Sequence, residues 1–204
     1  MNVQTTLKSI VSFDGTGLHT GQPAKLVLRP APANTGIVFR RIDVTGPGNL
    51  LPAKWDHVVV SPLNTCLTNH AEVTVSTIEH LMAALAGTGV HNVMIDIDGP
   101  EVPIMDGSAA AFVRGIVQAG LTRHAAPLYA IEILRDVSVE DGLAVASLSP
   151  ATSLQIAFDI DFADAAIGHQ EKTLNMANGA FVRELCDSRT FCRNSDVELM
   201  RANG

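Results

Sequence analysis

Ser76-Thr77-Ile78-Glu79-His80-Leu81-Met82-Ala83-Ala84-Leu85-Ala86 is the stretch from which the fold can be read. Ile78, Leu81, Met82 and Leu85 fall at i, i+3, i+4 and i+7, so they form one apolar stripe along a helix and predict that Thr77–Ala86 packs on a sheet. Gly87 and Gly89 follow as stop signals. At about 100° per residue, His80 lies about 160° from the centre of that stripe, which excludes it from the core side of the helix. Ser76 and Glu79 have the spacing of a Ser-x-x-Glu capping box, the plainer reading of Glu79. A carboxylate beside an imidazole is also what a metal-dependent hydrolase uses to hold its metal and move protons. A helix N-terminus favours an anionic side chain, so the two readings are compatible.

Strand signals surround this helix. Ala24–Arg29 and Ile37–Ile42 flank the turn-rich Pro30–Gly36 and predict a hairpin with a long loop. Val58–Val60 and Glu72–Val75 read as short strands, Val90–Ile97 as a strand, and Ser108–Ala119 as a second helix ending at Gly120. Thr122–Pro127 reads as a linker. Strand signals then resume at Ile131–Ile133, Val137–Val139, Ala144–Leu148 and Leu154–Ile160, with a turn at Gly142. Ala177–Leu185 reads as a third helix and Asp196–Arg201 as the start of a fourth. Several strands followed by helices, twice over, predict an α+β fold of two consecutive two-layer units, helices on a sheet. The expected domains are residues 1–124, with the Glu-His pair, and residues 125–204, an incomplete second unit.

Composition narrows the function. A net charge of -7 without any Lys/Arg cluster argues against a nucleic-acid partner. No apolar run approaches the roughly eighteen residues of a membrane span, and the N-terminus lacks the pattern of a signal peptide. Cys66, Cys186 and Cys192 include no Cys-x-x-Cys and are odd in number, which fits a reducing compartment; the expectation is cytoplasmic.

Other motifs are weak alone. Asp106-Gly107-Ser108-Ala109 is a helix start, with Asp106 or Ser108 as N-cap. Gly15-Thr16-Gly17-Leu18-His19-Thr20-Gly21 lacks the lysine and spacing of a phosphate loop and reads equally well as a tight turn. Ser188-Arg189-Thr190-Phe191 offers a cation, a hydroxyl and a ring, which a surface strand would explain.

In combination they become specific. Gly17–Gly21, Leu28–Gly36, Ser76–Leu81, Pro103–Ala109 and Ser188–Phe191, in that order, closely resemble the zinc-dependent UDP-3-O-acyl-N-acetylglucosamine deacetylases of lipid A biosynthesis. The resemblance implies a cytoplasmic hydrolase with two α+β domains of one repeated topology around an active site, and a UDP-linked acylated glucosamine substrate. By the same resemblance His80 matches the zinc ligand of the first domain and Glu79 the general base. Thr190 matches the hydroxyl that binds the scissile carbonyl or its oxyanion, Phe191 a wall of the substrate site, and Leu18 a contact near the acyl passage.

The departures set further expectations. The family carries a second zinc histidine followed at i+4 by a zinc aspartate, and a later stabilising histidine. No histidine after His80 has Asp, Glu or His four residues on, and Cys192 stands where a glycine usually follows the Thr-Phe pair. A catalytic zinc wants three protein ligands. The Zn2+ site is therefore expected to be incomplete within these residues, which end at Gly204 where the family continues for roughly another third of its length, about half a domain. Self-association through the unfinished second unit is expected. The alternative reading is a short, catalytically inactive paralogue that binds a nucleotide-sugar or a protein.

Overall fold

In the computed structural model, which describes residues 3–192, 194, 197 and 198, Leu28, Ile95, Phe39 and Leu51 run in register across neighbouring strands, all fully buried. The strands are β1 (Val3–Leu7), β2 (Val11–Thr16), β3 (Pro23–Pro30), β4 (Ile37–Arg41), β5 (Leu50–Pro52), β6 (Val58–Val59), β7 (Cys66–Thr68) and β8 (Thr74–Val75). Helix α1 (Glu79–Thr88), β9 (Val93–Ile97), α2 (Ala110–Ala119) and β10 (Leu121–Pro127) follow. Beyond them lie β11 (Val137–Asp141), β12 (Ala144–Leu148), β13 (Gln155–Asp161), β14 (His169–Asn175) and a π-helical turn, Phe181–Leu185.

The main sheet has the order β2-β3-β9-β4-β5, with β4 parallel to β9 and the other pairings antiparallel. The expected hairpin of the third and fourth strands therefore does not form, because β9 inserts between them. That arrangement places Ile95 between two buried neighbours, Leu28 and Phe39, which a two-stranded ribbon could not do.

Helix α1 buries Leu81, Ala84 and Leu85, and Ile78 just before it is buried too. Met82 is half-buried, so the predicted stripe faces the core. Helix α2 buries Phe112, Val113 and Ile116, and the Phe112 ring meets Phe13 edge-on with centroids 5.0 Å apart. Gly115 makes that approach possible, since a Cβ there would lie 2.6 Å from the Phe13 ring.

Two further expectations are corrected. Residues 122–127 are no linker: they belong to β10, which pairs antiparallel with β1 from Leu7↔Leu121 to Val3↔Pro127. Ile131–Ile133 is not a strand. The third helix contracts from Ala177–Leu185 to the turn Phe181–Leu185, because Asn178 (φ 54°) and Gly179 (φ 73°) are both left-handed and break it. The expected fourth helix, Asp196–Arg201, lies outside the described residues except for Val197 and Glu198.

The molecule is a mixed α+β protein. Strands β11 and β12 form a hairpin in which every residue is exposed, and β13 and β14 form another that buries Leu174. Among the described residues no helix is long and apolar enough to cross a membrane.

Candidate active site

Thr77 shapes the approach to α1. Its φ of 56° puts a β-branched residue in the left-handed region, where strain is expected. The helix cannot extend through it and begins at Glu79, with Ile78 in the N-cap position and no side-chain cap. The capping box expected for Ser76 and Glu79 is therefore absent. Ser76 Oγ donates instead to the Pro100 carbonyl at 3.2 Å. Glu79 Oε2 accepts the backbone N–H of Thr65 at 3.0 Å, which fixes the carboxylate of a half-buried side chain. His80, also half-buried, makes no hydrogen bond among the described residues.

Glu101 ties distant segments together through Ser76 and Thr77, just before the helix. It is fully buried and pairs in a parallel bridge with Ser76. Its Oε1 accepts the His19 N–H at 2.9 Å and the Thr77 hydroxyl at 2.9 Å, and its Oε2 accepts the Thr20 N–H at 2.8 Å. Burial pushes this carboxyl up, but the donors from His19, Thr20 and Thr77 outweigh that and hold it below the ordinary glutamate value. Gly17 is where the backbone passes closest: a Cβ there would sit 2.3 Å from Glu101 Oε2. Leu18, in the same loop, is 50% exposed.

The chain continues from Glu101 to the start of α2. Ile104 donates its N–H to the Thr16 carbonyl at 3.0 Å. Asp106 accepts from the hydroxyl and the N–H of Ser108, and Ser108 Oγ accepts from Ala110 N–H. The Ser108 hydroxyl above all, with its N–H, draws the Asp106 carboxyl below its ordinary value. The N-cap position is taken by Ala109 rather than Asp106 or Ser108. Thr190 reaches this loop, donating its N–H to the Gly107 carbonyl at 2.9 Å, and Arg189 lies 3.7 Å from Asp106. Phe191 is 56% exposed and meets Phe162 edge-on at 5.6 Å. Residues 188–191 do not form the surface strand considered above.

The structure thus gathers Leu18, Thr77 and Glu101 at one end of α1, and Thr190 at the loop leading into α2. Among the described residues no hydrogen bond joins Glu79 or His80 to Thr190. A cleft of about 450 Å3 lies at the loop leading into α2, lined by Asp14, Thr16, Met105, Asp106 and Arg114 and by none of the five candidate residues. The larger cleft, about 620 Å3, lies beyond the other end of α1 at Gln4, His91 and Tyr129, and none of the five candidate residues lines it.

A family model described as UDP-3-O-acyl N-acetylglycosamine deacetylase, LpxC, matches residues 4–204. The chain belongs to the LpxC family. It is 48% identical over 201 residues to a UDP-3-O-acyl-N-acetylglucosamine deacetylase of Phenylobacterium zucineum, covering 98% of this chain and 69% of that protein. It is 43% identical over 205 residues to a protein of the same name from a Shewanella species, covering 100% of this chain and 67% of that one. Membership of the LpxC family makes this chain a deacetylase-type hydrolase.

For an LpxC member the metal is the next test. Among the described residues one group brings three ligand-type side chains together: Asp159, His169 and Glu171, all exposed on the β13–β14 hairpin. Asp159 stands opposite Glu171 in register, and His169 Nδ1 lies 3.7 Å from Asp159. His80 is not in that group. The described residues therefore do not fit a catalytic zinc at His80, which would want two more protein ligands.

Two features escaped the sequence. A search for ligands four residues apart along a helix cannot find Asp159 and Glu171, which face each other across strands; the hairpin register could have. Glu101 gives little local signal because its partners are 24 or more residues away, although a lone carboxylate in Pro100-Glu101-Val102-Pro103 is one.

Proposed function

We propose that this chain acts in the hydrolytic removal of the N-acetyl group from UDP-3-O-acyl-N-acetylglucosamine, with Glu79 as general base and the Thr190 hydroxyl as donor to the carbonyl oxygen. Leu18 and Phe191 are the proposed substrate contacts and His80 the proposed zinc ligand. The observation that carries the reading is the state of Glu79: one carboxylate oxygen is held by the Thr65 amide, and the other makes no hydrogen bond among the described residues. A base fixed at one oxygen is oriented to take a proton at the other.

The reaction balances with one water. Glu79 takes a proton as the water oxygen bonds to the acetamide carbon. The C–N bond then breaks, the nitrogen leaves as an amine carrying a proton, and acetate is released. A hydroxyl donor at the developing oxyanion stabilises that charge. Zinc belongs to the proposal through His80 and the family, and it requires ligands beyond the described residues. The division into two units is likewise proposed, with its boundary after Pro127 rather than between residues 124 and 125, because β10 pairs with β1 as far as Pro127. It is supported by where the buried side chains lie: beyond Pro127, among the described residues, the buried apolar ones are Leu174, Ala180, Phe181 and Cys186. The exposed apolar face of β11–β12 supports self-association of the second unit, and the odd cysteine count supports a reducing, cytoplasmic setting.

A second reading, binding of the nucleotide-sugar without turnover, is favoured by one observation: His80 has no co-ligands among the described residues. Acetate release by the purified chain with zinc and substrate separates the two. Release that Glu79→Ala abolishes supports the deacetylase reading. Calorimetric binding of the substrate with no acetate supports the second. Metal analysis after dialysis against dilute zinc checks His80 directly: one zinc per chain, lost in His80→Ala, is the expected result once co-ligands are supplied.

A further inference from the structure

Glu101 is a buried carboxylate with no cation beside it among the described residues. A charge in that position is costly unless hydrogen bonds replace its water, and a neutral side chain of the same shape would avoid the cost. Its donors come from two segments far apart in sequence. One is the loop Gly17–Gly21, through His19 and Thr20; the other is Thr77, two residues before Glu79. Both segments accommodate the carboxylate at their own expense. The loop has no side chain at Gly17, where a Cβ would collide with Glu101 Oε2. Thr77 holds a left-handed backbone and still directs its hydroxyl to Oε1.

We infer that Glu101 is a positioning residue for the deacetylation: its ionised carboxylate locks the Gly17–Gly21 loop to the start of α1, so that Leu18 and His19 keep one fixed geometry relative to Glu79 and His80. The inference rests on the reading of Leu18, Glu79 and His80 as site residues given above. The lock is reciprocal, so loosening either side loosens the other.

Amide hydrogen exchange by NMR on the full 204-residue chain tests this without substrate. In Thr77→Val the donor on the α1 side is lost, and the His19 and Thr20 amides are expected to exchange about tenfold faster or more. Thr77→Ser keeps the hydroxyl and should restore the wild-type rates. In Glu101→Gln those two amides and that of Thr65, which reports the Glu79 carboxylate, should all speed up while Ile95 and Ile97 in β9 hold. Thr77→Val that leaves His19 and Thr20 unchanged, or that speeds β9 equally, overturns the inference and reduces Glu101 to a packing role. Where the wild-type chain releases acetate, Glu101→Gln should lower kcat and raise KM together. A wild-type chain that releases none overturns the deacetylase reading of this chain, and the exchange rates still decide Glu101.

Discussion

Residues 3–127 and the two hairpins at 137–175 show the same alternation of apolar and polar residues, yet they have different fates. In β3 the alternate residues Ala24, Leu26 and Leu28 are buried under two helices. In β11, Val137 and Val139 alternate just as well and are 44% and 66% exposed. Alternation states which face of a strand wants cover; a second layer has to supply it. The first region has that layer in α1 and α2. The second is attached to it mainly through the turn at Phe181, whose ring lies against Gly87 of α1.

The largest expected effect is in the first region's core. Leu85→Asp puts a carboxylate where the side chain is fully buried, at a cost comparable to the roughly 5–15 kcal/mol that holds a domain folded. The cooperative melting transition seen by circular dichroism should disappear; a wild-type melt would break the comparison at its root. Next comes the joint between the regions. Phe181→Ala should cost about 3 kcal/mol. Gly87→Ala should cost about 1–3 kcal/mol, since its Cβ would lie 2.0 Å from the Phe181 ring. The double variant should be less destabilised than the sum by more than about 0.5 kcal/mol, because removing the ring clears the clash. Strict additivity would mean that the joint is not there.

A smaller effect concerns acid. Asp96 is buried, and although burial alone raises its carboxyl, ion pairs with Arg40 and Arg29, each at 2.7 Å, bring it below the ordinary value. Its contribution to stability is therefore complete above the unfolded aspartate value, near pH 4, and is lost as pH falls through the lower folded value. Both arginines are more than 40% exposed, so screening trims the contribution to roughly 1–2 kcal/mol. Asp96→Asn should lower the melting temperature at pH 7 and leave little difference at pH 2. An equal loss at both pH values would show that shape, rather than charge, is what matters there. The smallest effect should be Val139→Asp, within about 0.5 kcal/mol of wild type in the isolated chain. A large loss would mean that the exposed hairpin face is covered in solution, for instance by a second copy.

What could be read beforehand was whatever depends on near neighbours. The stripe Ile78-Leu81-Met82-Leu85 gave α1, and Gly142 gave the turn between β11 and β12. The two errors of strand topology share a cause in long-range pairing. β9 enters between β3 and β4 from more than fifty residues downstream, and β10 reads as a linker because its partner, β1, is at the other end of the region. The capping box at Ser76 and Glu79 failed on one dihedral angle, that of Thr77, which tertiary hydrogen bonding to Glu101 helps to hold. At the proposed site, Glu79 and His80 rest on their order in the chain, while Glu101 is invisible there because its partners are assembled only by the fold.

The place of β9 also sets a timetable for synthesis. Strands β3 and β4 leave the ribosome with an empty slot between them, and Val93–Ile97 fills it only after a further 52 residues, from Arg41 to Val93, have been made. At about 5–20 residues per second that is roughly 3–10 seconds during which two apolar strands expose their inner edges. The nascent chain is most open to misassembly in that interval, and a chaperone acting on this protein would have most to do before residue 97 is made.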